Sequence, residues 1–243
     1  MTNIVLISLI LAFGAFAFSF TGFGFALVTL PLLAFLLPLK IAVGFVFPYT
    51  LTLVLYHAWR FGRKLELGVL WPLIFGAVPA MPLGLWYLHQ FPESLLKKCL
   101  ACFVILSLLL TRLQMARPKK LKTRYSKYVG FLFGFISGWF QGAYTTGGPP
   151  AVVYVSAVSS EPEQAKGYMG AYFAFICLLT LVMYAVSGVF SVKWLGNSLA
   201  YSPAVLLGTL AGAVCSVQVK AKTYRLAVDS LLILAAGLLW FRS

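Results

Sequence analysis

The sequence has very few acidic residues and little charge of any kind. Only 5 of its 243 residues are Asp or Glu, and charged residues make up 10% of the chain, whereas soluble domains carry about 25%. A membrane-embedded enzyme that used a metal would need an Asp-rich motif, which acids placed mostly in loops do not supply. The 4 cysteines all lie in apolar runs, so no disulfide scaffold is indicated. We therefore expect no enzyme, no cofactor and no metal site.

Long apolar runs are abundant where charge is scarce. Hydrophobic residues make up 61% of the chain, the mean hydropathy is +0.94, and the first charged side chain is Lys40. A single helix up to that point would be roughly 58 Å long, whereas the apolar core of a bilayer is about 30 Å thick. This stretch must therefore fold back or break within the membrane. The composition predicts an all-α polytopic membrane protein with a single transmembrane domain over residues 1–243.

Charged and turn residues divide the apolar sequence into predicted segments. These segments cover residues 3–20, 24–39, 41–59, 67–88, 95–113, 128–143, 149–160, 167–188, 194–217 and 226–241. The polar, basic stretch 117–127 separates the first five from the last five. Matches such as Gly22 with Gly142 and Tyr49 with Tyr172 occur in the same order in both halves. This order predicts an internal duplication.

The basic loops predict how the two copies are oriented. If each repeat crosses the membrane five times, the basic loops 60–64, 112–127 and 218–225 all lie on one side, as the positive-inside rule requires. An odd number of crossings inverts the second copy. We therefore predict two inverted five-segment repeats, residues 1–116 and 128–243, each opening with a glycine-broken helical hairpin.

The net charge of +14 is interpreted as a topology signal rather than as a nucleic-acid-binding surface. The basic central loop is then expected on the cytoplasmic side of the membrane. The expected partners are a small anion and the lipid bilayer, with no nucleic acid and with a homodimer left open.

Glycine-rich breaks interrupt the apolar sequence at corresponding places in the two repeats. Thr21, Gly22 and Gly24 form the first break, and the second runs through residues 141–150. Irregular backbone at membrane depth is tolerated where it lines a cavity, and paired breaks in inverted repeats indicate a transporter site. Backbone N–H groups at a helix N-terminus bind anions without a basic side chain. The alternative is that these glycines only allow helices to pack closely.

The residues predicted to bind the substrate belong to these breaks. They are Thr21, Gly22, Gly24, Gln141, Gly142, Tyr144, Thr145, Thr146, Gly147 and Gly148. Because no Lys or Arg lies close to either break in sequence, we expect neutral donors to hold a bound anion.

Both breaks resemble motifs of the TauE/SafE family, known as sulfite exporters. Residues 21–24 followed by 30–33 are similar to the first glycine-rich motif of that family, and residues 142–150 followed by 151–154 are similar to the second. The resemblance implies a secondary carrier in the cytoplasmic membrane for sulfite, thiosulfate or an organosulfonate. We expect this anion to bind between the two breaks and to move by alternating access.

Two further interpretations stay open from the sequence. Asp229 follows Arg225 by one helical turn, which favours an ion pair, but it is also the acid placed well inside an apolar run and the default candidate for proton coupling. His57, close to Arg60, is either an interfacial residue or a second coupling group. An anion channel on the same inverted-repeat scaffold is the alternative to a carrier.

Overall fold

The structure, a computed structural model, describes residues 2–61, 67–116, 123–159, 162–190, 200–218 and 221–241. These residues form ten helices and no strand. The helices are α1 (Thr2–Thr21), α2 (Phe25–Leu33), α3 (Leu39–Phe61), α4 (Leu67–Gln90), α5 (Glu93–Ala116), α6 (Thr123–Tyr144), α7 (Gly148–Val158), α8 (Pro162–Ser187), α9 (Ser202–Gln218) and α10 (Ala221–Phe241). The predicted all-helical fold class is confirmed.

Four stretches of helix are long and apolar enough to cross a bilayer. They are Leu39–Arg60, Leu70–Gln90, Glu93–Arg112 and Gln164–Ser187. Large apolar side chains face outward on several helices, among them Phe75, Val182 and Leu210, which are each at least 60% exposed. Outward apolar surface on helices of this length is expected in lipid. The chain is therefore a multi-pass membrane protein.

The helices correspond to the predicted segments, but α6, α8 and α10 each begin five residues earlier than predicted, and two other boundaries also differ. The second segment was expected to reach residue 39, but α2 ends at Leu33. The N–H groups of Leu36 and Leu37 both donate to the Leu33 carbonyl, which forms a turn, and Pro38 then precedes α3, as proline does at helix starts. The ninth segment was expected from residue 194, but α9 begins at Ser202, and residues 191–199 lie outside the described part of the chain.

The residues group into two compact units that each combine parts of both predicted repeats. Unit 1 contains Met1–Thr50, Phe91–Leu106 and Ser187–Ser243, and unit 2 contains Leu51–Gln90 and Ser107–Val186. Unit 1 thus holds α1, α2, α9 and α10, and unit 2 holds α4, α6, α7 and α8. The prediction of a single domain with two sequential repeats stays a prediction.

Each unit is organised around one closely packed helix pair. In unit 1 the pair is α1 with α9, and a Cβ atom added at Gly208 would overlap the backbone carbonyl of Ala12. In unit 2 the pair is α4 with α6, and a Cβ atom added at Gly138 would overlap the carbonyl of Ala77. Close backbone approach at small residues is the usual way that membrane helices associate.

Candidate functional site

The break of unit 1 separates α1 from α2 and is built on two left-handed glycines. Gly22 has φ 75° and Gly24 has φ 91°, a backbone region that costs glycine nothing and other residues energy. The N–H of Gly22 donates to the Phe18 carbonyl at 2.7 Å, and the Gly24 carbonyl accepts from the N–H of Val28 at 3.1 Å. The glycines therefore end one helix and start the next without strain.

The surroundings of this first break are apolar or internally paired. Phe25, at the start of α2, is 1% exposed and meets the edge of the Tyr49 ring at 6.4 Å between centroids. The buried hydroxyl of Thr29 donates to the Phe25 carbonyl of its own helix at 2.8 Å. Among the described side chains of α1 and α2, no buried polar atom lacks a partner.

The break of unit 2 lies between Tyr144, the last residue of α6, and Gly148, the first residue of α7. Thr145 has φ 54°, and it is the one residue other than glycine with positive φ in the described chain. For a β-branched residue this conformation is a genuine outlier and costs on the order of 1–3 kcal/mol. Backbone strain of this kind is found most often at functional sites.

Gln141 holds the second break in place. Its side-chain carbonyl accepts from the N–H of Gly147 at 3.2 Å, and its amide nitrogen donates to the Thr180 hydroxyl at 3.3 Å and to the Cys177 sulfur at 3.5 Å. Gln141 is 2% exposed. Both the oxygen and the nitrogen of the Gln141 side-chain amide are therefore used in hydrogen bonds that hold the break.

Two tyrosines of α8 complete the hydrogen bonds that hold the second break. The frame of the break consists of Ser137, Gln141, Tyr172, Cys177, Thr180 and Tyr184. The Tyr172 hydroxyl donates to the Ser137 hydroxyl at 2.9 Å, and Ser137 donates to the Gly147 carbonyl at 2.6 Å. The Tyr184 hydroxyl donates to the Gly142 carbonyl at 2.8 Å. Hydrogen bonds in such a chain polarise and strengthen one another in a low-dielectric interior. Carbonyl oxygens on both sides of the break are thereby occupied.

Two adjacent side-chain hydroxyls at the second break have no hydrogen-bond partner. The hydroxyls of Thr145 and Thr146 are buried without a partner, and the two residues are only 3% and 4% exposed. Gly148 carries the one backbone N–H among the first three residues of α7, because Pro149 and Pro150 have none. An unpartnered buried hydroxyl costs about 1–3 kcal/mol, and the adjacency of these two makes the second break the candidate site.

The sequence-predicted residues of the second break occupy one buried segment but have different surroundings. Gly142 faces the backbone carbonyl of Met81 on α4, which fits the packing interpretation. The Tyr144 ring stacks on Phe140 with centroids 6.2 Å apart and meets the edge of Trp139 at 6.5 Å. Aromatic rings thus cluster at the end of α6, which directly precedes Thr145 and Thr146 in the sequence.

The other sequence-predicted residues are placed as follows. Gly22 and Gly24 belong to the break of unit 1, and the side chain of Thr21 lies outside the described ones. His57 is buried near the end of α3, and Asp229 is half-buried on α10. The side chain of Arg225, expected to pair with Asp229, also lies outside the described ones. No group of three or more His, Cys, Asp or Glu residues that could hold a metal occurs in the described residues.

Sequence reasoning missed the residues that frame the second break. Ser137 lies one helical turn before Gln141, and this spacing places both side chains on one face of α6. Thr180 and Tyr184 lie on one face of α8 at the same spacing. Polar residues spaced by one turn within an apolar run were therefore the signal that could have found them.

Comparison with known proteins identifies the family of the chain. The model of the sulfite exporter TauE/SafE family matches residues 6–239. No curated protein and no solved structure matches the chain. Because the family match covers nearly all of the sequence, this multi-pass membrane protein belongs to the sulfite exporter TauE/SafE family.

Proposed function

We propose that the protein is a secondary transporter for a small sulfur-containing anion and that the second break supplies the binding groups. The family description supports sulfite as a candidate substrate, and thiosulfate or an organosulfonate are the other candidates. The observation that carries the proposal is the pair of buried, unpartnered hydroxyls of Thr145 and Thr146 beside the N–H of Gly148. These groups are three neutral hydrogen-bond donors within four consecutive residues.

The polarity of the second break favours an anion over a metal cation. Broken helices often bind cations through free backbone carbonyls. Here Ser137 donates to the Gly147 carbonyl and Tyr184 donates to the Gly142 carbonyl, so these two carbonyls each already accept a hydrogen bond. The start of α7 brings the positive end of a helix dipole to the break, whereas the end of α6 brings a negative one. The two unpartnered hydroxyls are the groups that support the choice of an anion.

We further propose that the two repeats are inverted and that transport proceeds by alternating access. The composition of the units supports the repeat: unit 1 pairs α1 with α9, and unit 2 pairs α6 with α4. If α1 corresponds to α6 and α4 to α9, each unit combines the opening helix of one repeat with the fourth helix of the other. The basic loops support a cytoplasmic location for the central loop, and the family supports the cytoplasmic membrane as the location of the protein.

Flux measured in proteoliposomes of the purified protein tests this function. Sulfite, thiosulfate, an organosulfonate, sulfate and chloride are compared over a range of concentrations. We expect saturable uptake of a sulfur anion, with competition among the accepted substrates. Flux that rises linearly with concentration would indicate the channel alternative, and no flux of any sulfur anion would overturn the proposed substrate class.

A variant connects the flux to the site. Thr146→Val keeps the shape of the side chain and removes its hydroxyl, so we expect weaker substrate binding in a folded protein. Thr29→Val is the matched control, because the Thr29 hydroxyl already donates within its own helix. Equal transport by Thr146→Val and the wild type would show that this hydroxyl does not bind the anion.

A further inference from the structure

The charge distribution of unit 2 is unusual for a site that binds an anion. The described Lys and Arg side chains of this unit, Arg60, Arg112, Lys127 and Lys166, are all exposed. Residues 128–165, which include the whole break, contain no Lys or Arg. The unpartnered hydroxyls of Thr145 and Thr146 are buried. The donors at the break are thus neutral, and within the described part of unit 2 no buried cation accompanies them.

A second negative charge on the anion changes the cost of desolvation and the attraction to neutral donors by different amounts. The cost of removing an ion from water grows with the square of its charge, whereas its attraction to fixed hydroxyl and N–H dipoles grows only in proportion to the charge. Doubling the charge of the anion therefore raises its desolvation cost more than it raises its attraction to the donors. A buried cation could offset the difference, but the charges described in unit 2 lie at its surface.

We propose that this site selects a singly charged oxyanion: a sulfonate with one negative charge or, for sulfite, the hydrogensulfite ion. Doubly charged anions such as sulfate, thiosulfate and the fully ionised form of sulfite are disfavoured. The inference rests on the proposed function and narrows its substrate class. If a proton moves together with sulfite, it moves as part of the substrate, because hydrogensulfite carries one proton.

The residues around the break agree with a proton carried by the substrate. Residues 94–160 and 164–228 contain no Asp or Glu, so the interior of α6, α7 and α8 has no carboxylate to relay a proton. The titratable groups near the break are the phenols of Tyr144, Tyr172 and Tyr184 and the thiol of Cys177. The buried His57 of α3 lies farther along, against α8 at Gly170. Phenols and thiols are ordinarily neutral at pH 7.

Two sulfonates of similar size that differ by one charge provide the test. Isethionate carries one negative charge, whereas sulfoacetate carries a carboxylate in addition to its sulfonate. We expect isethionate to compete for the site at least roughly a hundredfold more effectively than sulfoacetate in proteoliposomes at neutral pH. Equal or preferred binding of sulfoacetate would overturn the charge selection and leave the proposed function standing. If no sulfur anion, sulfite included, is bound or transported, the proposed function falls as well.

A pH series separates titration of the substrate from titration of the protein. Sulfite loses its second proton near neutral pH, whereas isethionate has no group that titrates there. At a fixed total concentration, we expect sulfite uptake to fall in proportion to the hydrogensulfite fraction as pH rises, while isethionate uptake stays constant. A parallel fall for both anions would assign the titration to a protein group and overturn the inference. Sulfite uptake that rises with pH would do the same.

Discussion

The two breaks interrupt their helices by different means. In unit 1 the left-handed positions are glycines, at Gly22 and Gly24, and the described polar groups nearby are paired. In unit 2 a left-handed position holds Thr145, and two adjacent hydroxyls are buried without partners. The first break satisfies the backbone at low cost. The second has strain and unpaired donors that folding alone does not explain, which is the expected signature of a binding site.

The helix pairs next to the breaks, in contrast, are built alike. The α1–α9 pair and the α4–α6 pair both rely on glycines that face a backbone carbonyl of the partner helix. The two helix pairs are therefore similar, whereas the polar groups of the two breaks differ. If the proposed function is correct, anion binding depends mainly on unit 2.

Glycine replacement in the helix pairs should give the largest effect. In Gly138→Leu and Gly208→Leu the new side chain meets the carbonyls of Ala77 and Ala12, respectively. We expect each to destabilise the fold by about 3 kcal/mol or more, with aggregated protein or strongly lowered thermal unfolding in detergent. Gly237→Leu is the control, because a Cβ atom there has no neighbour within 4 Å. A stable Gly138→Leu variant would contradict the close packing of α4 with α6.

Removal of a hydroxyl at the second break should give the next largest effect. For Thr146→Val we expect KM to rise about tenfold, since a lost hydrogen bond to a charged group is worth about 1.5–3 kcal/mol. Thr29→Val should leave KM within about twofold of the wild type, because its hydroxyl is used inside α2. A similar rise in KM for both variants would mean that both breaks contribute to substrate binding, which would contradict the proposed difference between them.

Loss of the tyrosine contact in the frame should give a smaller effect. Tyr172→Phe removes the hydrogen bond to Ser137, which in turn donates to the Gly147 carbonyl. We expect about a fivefold rise in KM with little change in the maximal rate, because a neutral hydrogen bond contributes about 1 kcal/mol. Tyr168→Phe, one turn earlier on α8, is the control, since the Tyr168 hydroxyl pairs with Gln164 instead. An unchanged KM for Tyr172→Phe would remove it from the frame of the site.

Replacements at the left-handed positions should give the smallest effects and opposite signs. Thr145→Gly relieves backbone strain and removes an unpartnered hydroxyl, so we expect unfolding to require up to about 1 kcal/mol more free energy. Gly24→Ala places a Cβ atom at φ 91° and should destabilise by about 1 kcal/mol. Thermal unfolding of the two purified variants measures both changes. A loss of stability in Thr145→Gly would show that the threonine is not strained.

The helical segments were predictable from the sequence, but the pairing of polar groups was not. Apolar runs locate α6 and α7, and the glycines near residue 147 locate the break between them. Gln141 was predicted to bind substrate, yet its amide is engaged by Gly147 and Thr180. That pairing depends on how α8 packs beside α6, which periodicity within one helix does not reveal.

Part of the chemistry of the second break could have been derived from local sequence. Free N–H groups were expected at the start of α7, but Pro149 and Pro150 carry none, which leaves Gly148. The strain at Thr145 had no sequence signal, because Thr145 and Thr146 are identical residues and only the backbone distinguishes them. The involvement of the first break in binding stays a prediction.

Equilibrium binding to the purified protein tests the central claim most directly. Radiolabelled isethionate is titrated against the wild type, the double variant Thr145→Val/Thr146→Val and the control Thr29→Val, with thermal unfolding measured for each. The account predicts that the double variant loses binding by about a hundredfold while it stays folded, and that the control binds as the wild type does. Wild-type affinity in a folded double variant would contradict the assignment of the site to the second break.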